Sequence, residues 1–293
     1  MKNRYILYNQ SVVPRESVRL SPEEWFEISD QCIRQSLFAS GNRIPFLKPW
    51  LELLGQRFGS VGWHLPDEFR LPDFGIQLEK LLNRNRLFKG SWIHLLIIPV
   101  FPSTELDCSP AFRCIGLTEE SEFDYFPLNQ KGLSIGISEK YHNTADPFIS
   151  SMVRSPLRNL LIRQEAATSG WDEIILTDQN GYLSETLGSN IFIKSKDQIL
   201  TPSPDNHCFP RIITGIVKGL ISRTGCDLVV SDRLKKQDLV KADEVFLTDD
   251  LNGIRWILGY EKKRFYRKIS NILHEEFTEM IRTTDQFQPG FSG

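Results

Sequence analysis

Gly181-Tyr-Leu-Ser-Glu185-Thr-Leu-Gly-Ser-Asn190-Ile-Phe-Ile193 is the stretch on which the fold reading turns. Its end, Asn190–Ile193, has the β-branched and aromatic content of a short buried strand. Asn190 is expected to support a turn rather than touch a ligand. Working outward, Glu173–Thr177 and Ile199–Leu200 read as further short strands, and Leu133–Ile137 alternates as another. Leu157–Thr168 reads as a helix stopped by Gly170. A second helix is predicted over Ile212–Arg223, ended by Gly225 and followed by the strand Leu228–Val230. Leu239–Thr248 reads as a short helix leading into a strand.

Toward the N-terminus, residues 4–20 suggest edge strands. Ser21-Pro-Glu-Glu24 has the form of a helix start, with a capping serine, a first-turn proline and carboxylates near the positive end of the helix dipole. That helix is expected to run through Cys32, with a turn at Gly41-Asn42. Pro45–Phe58 places Leu47, Leu51 and Leu54 at helical spacing. Trp92–Ile98 reads as a buried strand closed by Pro99 and Pro102. The acidic, proline-containing stretch 119–130 marks an inter-domain connection. These elements predict an α/β (α+β) chain with a small domain over 1–127, a larger one over 128–293 and a cleft between them.

With 293 residues, 40% of them hydrophobic, the chain is long enough for a sizeable core. A net charge of −2 gives no footprint for nucleic acid. The basic cluster Glu261–Lys268 is expected on a solvated helix face. The five cysteines, Cys32, Cys108, Cys114, Cys208 and Cys226, are odd in number and form no C-x-x-C pair, so they point to neither a disulfide framework nor a zinc site. No window has the roughly eighteen apolar residues of a membrane span, and no signal-peptide pattern opens the chain. A cytoplasmic setting is the expectation. His94, His142 and His207 lack metal-ligand spacing; His94, on an apolar strand, reads as a satisfied core residue.

The quoted stretch resembles the signature of class IV (fold type IV) pyridoxal-phosphate enzymes, roughly G-x-[VL]-[ST]-E-x-x-x-[SA]-N-[IL]-F. That family includes branched-chain and D-amino-acid aminotransferases and 4-amino-4-deoxychorismate lyases. Further similarities follow in order: Ser169–Asp178 to "GADEALxLD", Thr201-Pro202 to "xTP", Ala242–Thr248 to "ADEVFLT", and Asn252–Trp256 to "xGIxWV". The resemblance implies the two-domain D-amino-acid aminotransferase-like fold, a homodimer with its cleft near the subunit interface, and pyridoxal phosphate as cofactor. In such a site the cofactor is an electron sink, held by a lysine, a carboxylate at the pyridine nitrogen and a phosphate cradle. The carboxylate would be Glu185. The cradle would combine an arginine, hydroxyl groups and helix-start N–H groups.

Several of those positions are altered. The family lysine falls on Met152, or Ser151, and no lysine occurs between Lys140 and Lys194. Arg154, nearby, stays protonated and forms no imine. The phosphate-binding arginine falls on Leu53, with Arg57 one turn later. The helix-start "PGITR" becomes Pro210-Arg211-Ile212-Ile213-Thr214, and the phosphate-facing "TNA" or "TGT" becomes Thr248-Asp249-Asp250. The N-terminal "GDxxFET" erodes to Ser29–Ser36. Carboxylates beside a phosphate dianion repel it by about 1 kcal/mol or more per pair at partial burial.

Three functions stay open on this reading. One is a divergent homologue without standard pyridoxal-phosphate catalysis, its cleft or dimer surface reused for binding, with no cofactor. The second is an active aminodeoxychorismate lyase or aminotransferase with a relocated lysine, Lys140 or Lys218. The third is a cofactor-free enzyme whose cleft handles a different small molecule, a small anionic or amino-acid-like ligand drawn by Arg211, Arg57 or Lys218.

Overall fold

A computed structural model of the chain describes residues 3–22, 24, 25, 28, 32–100, 110–144 and 155–284. Two units emerge, Met1–Tyr125 together with Ile281–Ser292, and Phe126–Met280.

In the first unit, strands Tyr5–Tyr8 (β1), Ser11–Pro14 (β2), Ile33–Ser40 (β3), Gly90–Val100 (β4) and Ala111–Glu120 (β5) form an antiparallel sheet in the order β2-β1-β5-β4-β3. Helices Leu47–Ser60 (α1) and Asp73–Arg84 (α2) each bury an apolar stripe, Trp50, Leu51, Leu54 and Phe58 from α1 and Phe74, Leu78, Leu81 and Leu82 from α2. Phe58 stacks on Phe112 of β5 at 4.6 Å between ring centroids. Burying one such side chain contributes about 1.5–3 kcal/mol. The Ser21 start forms as expected: Ser21 Oγ accepts from Glu24 N at 3.1 Å and Glu24 Oε2 accepts from Ser21 N at 2.8 Å. Pro99 does not close β4. It lies opposite Phe112, beyond the end of the β3 pairing at Ile97, where a missing N–H is tolerated. Pro102 lies outside the described residues.

The second unit carries Leu133–His142 (β6), Pro156–Thr168 (α3), Glu173–Thr177 (β7), Leu183–Thr186 (β8), Asn190–Ser195 (β9), Gln198–Pro202 (β10), Ile212–Leu220 (α4), Asp227–Ser231 (β11), Lys236–Lys241 (α5), Glu244–Asp249 (β12), Gly253–Tyr260 (β13), Lys263–Arg264 (β14) and the start of Lys268–Thr283 (α6). Its sheet runs β11-β10-β9-β12-β13-β6-β7-β8, and β8 pairs back onto β9, so six strands close a ring. Ile135, Ile175, Leu183, Ile191, Ile193, Val245, Leu247 and Ile257 belong to one buried cluster in this unit. Closure leaves β8 no free edge, and all four of its residues are buried.

Helix α4 is shorter than its sequence pattern. It gives way at Ile221 to a 3₁₀ turn, and Gly225 ends the segment at φ +73. The basic cluster is exposed but not on a helix face. Glu261, at φ +49, begins the turn between β13 and β14, and only Lys268 enters α6. Among the described residues no helix is long and apolar enough to cross a membrane, and no cluster of metal-ligating side chains occurs.

Candidate functional site

The chain between β8 and β9 turns tightly, Thr186 N bonding Ser189 O at 2.8 Å and Ser189 N bonding Thr186 Oγ1 at 3.0 Å. This turn sets Glu185 directly opposite Asn190 across the ladder, where side chains of paired residues are neighbours. Both reach one cation. Arg211 Nη1 donates to Glu185 Oε2 at 2.6 Å and to Asn190 Oδ1 at 3.0 Å. The pair is deeply buried, with side-chain exposures of 5% for Arg211 and 2% for Glu185.

Arg211 is the residue preceding α4, with extended backbone, and its side chain turns back onto the hairpin. The Phe209 carbonyl accepts from Arg211 Nη1 at 3.0 Å, and the guanidinium lies 5.3 Å from the Phe209 ring centroid. Burial pulls the guanidinium pKa down. The Glu185 charge, its hydrogen bond and the charges of Asp250 and Asp249 outweigh that and hold it above its ordinary value. Glu185 also accepts from Phe209 N at 3.1 Å and from Asn143 Nδ2 at 3.3 Å. Thr214, one turn into α4, donates to Asn190 Oδ1 at 2.7 Å and meets Thr248 Oγ1 at 2.7 Å.

The two carboxylates at the end of β12 have separate tasks. Asp249 Oδ1 accepts from Leu251 N at 3.0 Å, Asn252 N at 2.8 Å and Asn252 Nδ2 at 2.9 Å, fastening the turn into β13. Its Oδ2 accepts from Ser189 Oγ at 2.9 Å and lies 3.1 Å from Arg255 Nη2. Asp250 Oδ1 accepts from Ile213 N at 3.0 Å, so a carboxylate sits on an amide of the first turn of α4.

The structure thus brings together Glu185, Arg211, Ile212, Ile213, Asp249 and Asp250 around the start of α4. Leu53 and Arg57 belong to α1 in the other unit, half-buried and buried respectively. Met152, Ser151 and Arg154 lie outside the described residues. Of the candidate substitute lysines, Lys140 is exposed and Lys218 half-buried. His94 is satisfied but is no core residue. Its ring nitrogens meet Ser36 Oγ at 2.8 Å and Glu119 Oε2 at 3.2 Å on a partly exposed part of the sheet. His142 Nδ1 pairs with Thr177 Oγ1 at 2.8 Å.

The sequence reading missed Asn143 altogether, and missed the roles of Ser189 and Arg255 inside motifs it had quoted. Asn143 links Ser184 Oγ (3.0 Å), Glu185 and the His207 carbonyl (3.3 Å). Ser189 and Arg255 join Asp249 to Glu173, with Arg255 Nη2 donating at 2.7 Å to both Glu173 Oε1 and Ser189 Oγ. Arg255 stands inside the Asn252–Trp256 motif, so its position was visible while its partners were not. Glu244 of the "ADEVFLT"-like segment is structural: it accepts from Ile269 N at 2.8 Å, Ser270 N at 2.7 Å and Ser270 Oγ at 2.6 Å, capping α6.

Residues 123–259 match the family model described as amino-transferase class IV. A probable branched-chain-amino-acid aminotransferase of Aquifex aeolicus is 37% identical over 115 residues, covering 39% of this chain and 36% of the relative. The Escherichia coli K12 branched-chain-amino-acid aminotransferase is 34% identical over 92 residues, 31% of this chain and 29% of its own. These matches span about a third of the relatives' length. The fold extends further. The branched-chain amino acid aminotransferase of Thermobaculum terrenum, solved in its PLP-form, superposes with a TM-score of 0.81 at 17% identity, covering 97% of this chain and 95% of that one. A putative 4-amino-4-deoxychorismate lyase of Legionella pneumophila gives 0.75 at 17% identity, covering 91% and 97%.

Proposed function

We propose that this chain, whose residues 123–259 match the amino-transferase class IV model, is a divergent member of that family that keeps the fold and has given up standard pyridoxal-phosphate catalysis, its site being reused for binding. The observation that carries the reading is the 2.6 Å contact between Arg211 and the buried Glu185. A carboxylate expected to face the pyridine nitrogen already has its counter-cation within the chain. A second one, Asp250, takes up the Ile213 amide expected to face phosphate. The residues present therefore do not fit pyridoxal phosphate at either of these points.

The argument is one of competition. For the cofactor nitrogen to reach Glu185, a buried guanidinium has to be expelled from a carboxylate, an amide oxygen and a carbonyl. A charged group stripped of such partners inside a protein costs several kcal/mol. For phosphate to reach α4, Asp250 must be displaced, and Asp249 stays nearby as a fixed negative charge. Neither obstacle depends on the family lysine position at Met152.

Transaminase assays with branched-chain amino acids, D-alanine and 2-oxoglutarate, supplemented with pyridoxal phosphate, test the reading. No turnover above the protein-free background is expected, and no rise in melting temperature with the cofactor. Turnover that scales with enzyme concentration would overturn it. The proposal also expects a homodimer, to be measured by light scattering on the eluting peak.

A further inference from the structure

The sequence contains two Asn-Gly pairs, Asn180-Gly181 and Asn252-Gly253. In such a pair the glycine nitrogen can close a five-membered ring on the asparagine side-chain carbon, since no Cβ crowds the approach and the backbone turns freely. The two pairs are held very differently. Asn252 donates both its main-chain N–H, at 2.8 Å, and its side-chain amide, at 2.9 Å, to Asp249 Oδ1. Gly253 is buried and paired with Asp249, and a Cβ placed on it would meet Phe126 at 2.8 Å. Asn180 and Gly181 are both exposed, in the turn between β7 and β8. A Cβ on Gly181 would meet nothing within 4 Å. Asn180 bonds through its main-chain N–H, to Asp178 Oδ1 at 2.8 Å, while its side-chain amide makes no hydrogen bond among the described residues.

This turn delivers the chain into the strand of the candidate site. Asp178 is buried, and its Oδ1 accepts from Tyr182 N at 2.9 Å as well as from Asn180 N. Its main-chain N–H donates to Tyr182 O at 2.8 Å and its carbonyl accepts from Gly181 N at 3.1 Å. These bonds straddle the Asn180–Gly181 link. Strand β8 begins at Leu183 and carries Ser184 and Glu185.

We propose that Asn180 is a self-modifying site, converting to aspartate and isoaspartate in water without an enzyme. Gly181 N gives its proton to solvent and bonds to Asn180 Cγ. The Cγ–Nδ2 bond breaks, and Nδ2 takes up a proton and leaves as ammonia. Water then opens the ring. Opening at Cγ gives aspartate; opening at the Asn180 main-chain carbonyl carbon gives isoaspartate, in which the chain runs through Cβ and Cγ and gains a carbon. No oxidant or cofactor enters. The added carbon falls between the two amides that Asp178 Oδ1 holds, and the new carboxylate repels the Asp178 charge. Conversion to isoaspartate therefore loosens the entry into β8, a one-way change acting on the strand that carries Glu185.

The test ages the native protein in mildly alkaline buffer at physiological temperature and samples it over days. Trypsin releases Gln164–Lys194 and Ala242–Arg255, so each Asn-Gly pair lies on its own peptide. Fragment ions locate the change from amide to acid and separate isoaspartate from aspartate. A single hydrogen bond to a charged acceptor corresponds to about tenfold in rate, so Asn180 is expected to convert about tenfold or more faster than the doubly held Asn252. The rate should rise with pH, because the attacking nitrogen must lose its proton. Equal rates at the two pairs, conversion located at Asn190 instead, or a rate flat with pH would overturn the proposal. Asn180→Gln, which would need a six-membered ring, must lose the fast signal while the Asn252 rate stays the same; a fast signal that persists also overturns it. The isoaspartate form, separated by ion exchange, is expected to exchange the amide hydrogens of Leu183–Thr186 faster than unaged protein. Unchanged exchange would overturn the link to the Glu185 strand. No step uses pyridoxal phosphate, so this proposal and the reading of the Glu185 site can each fail alone.

Discussion

Replacing Arg211 by methionine is the sharpest perturbation of the proposed site. It keeps much of the side-chain length while removing the charge that Glu185, Asn190 and the Phe209 carbonyl share. Glu185 would retain Phe209 N and Asn143 Nδ2, two donors without a full charge. Removing one member of a buried pair costs about 3–5 kcal/mol, most of it the penalty of the charge left behind. The companion change Glu185→Gln removes that charge, so the double variant Arg211→Met/Glu185→Gln should recover about half or more of the loss. The assay is urea denaturation of wild type, both single variants and the double variant, read as a thermodynamic cycle. A coupling of about 2 kcal/mol or more is expected for groups in direct contact at this burial. Arg211→Met alone should also gain stability as the pH falls from neutral, because a buried carboxyl that has lost its guanidinium is relieved by protonation. A single-variant cost under about 1 kcal/mol, or a double variant equal to the sum of the singles, would refute the idea that this pair is a mutually dependent buried contact.

Two other outcomes follow from the same structure. Asp250→Asn weakens the contact with Ile213 N and should cost about 0.5–1.5 kcal/mol at the start of α4, measured by denaturation at low salt and shrinking as salt rises. Asp172 is held below the ordinary carboxylate range by Ser134, its backbone N–H first and its hydroxyl second. The stability it contributes is present above the unfolded carboxylate pKa and lost as pH falls through the lowered folded value. Asp172→Asn should therefore be less stable than wild type near neutrality by about 1 kcal/mol, a figure kept low for an exposed group, and the gap should close in acid. A gap that widens toward acid would contradict that sign.

The sequence made the second unit legible because its signals are local. Gly170 and Gly225 punctuate the helices before them, both at positive φ, and Glu173–Thr177 is a strand with the predicted bounds. The first unit was harder. Helix α2 follows two proline-bearing turns, and β5 carries Arg113, Glu119 and Glu120 among its apolar residues, which made its end read as a connection. Strand β4 runs past Pro99 because its partner there is β5, beyond the end of the pairing with β3. Glu185 and Arg211 were each identifiable as site positions, but their joining depends on a cross-strand register and a helix entry 26 residues apart in the chain. Asn143 was invisible for the same reason, and Ser189, although inside the quoted signature, gave no sign of its partners. A lone amide or hydroxyl has no spacing signature, and its role appears only when strands bring its partners within 3 Å or so.

The most direct test of the central claim, that the chain's own arginine holds the carboxylate a cofactor would need, is cofactor retention. The protein is incubated with pyridoxal phosphate, dialysed, scanned for visible absorbance, reduced with borohydride and mapped by mass spectrometry. The account predicts no retained absorbance and no stoichiometric phosphopyridoxyl lysine, in wild type and in Lys218→Arg alike. A retained band with one lysine modified to completion would contradict it and would name the residue that replaces the missing one.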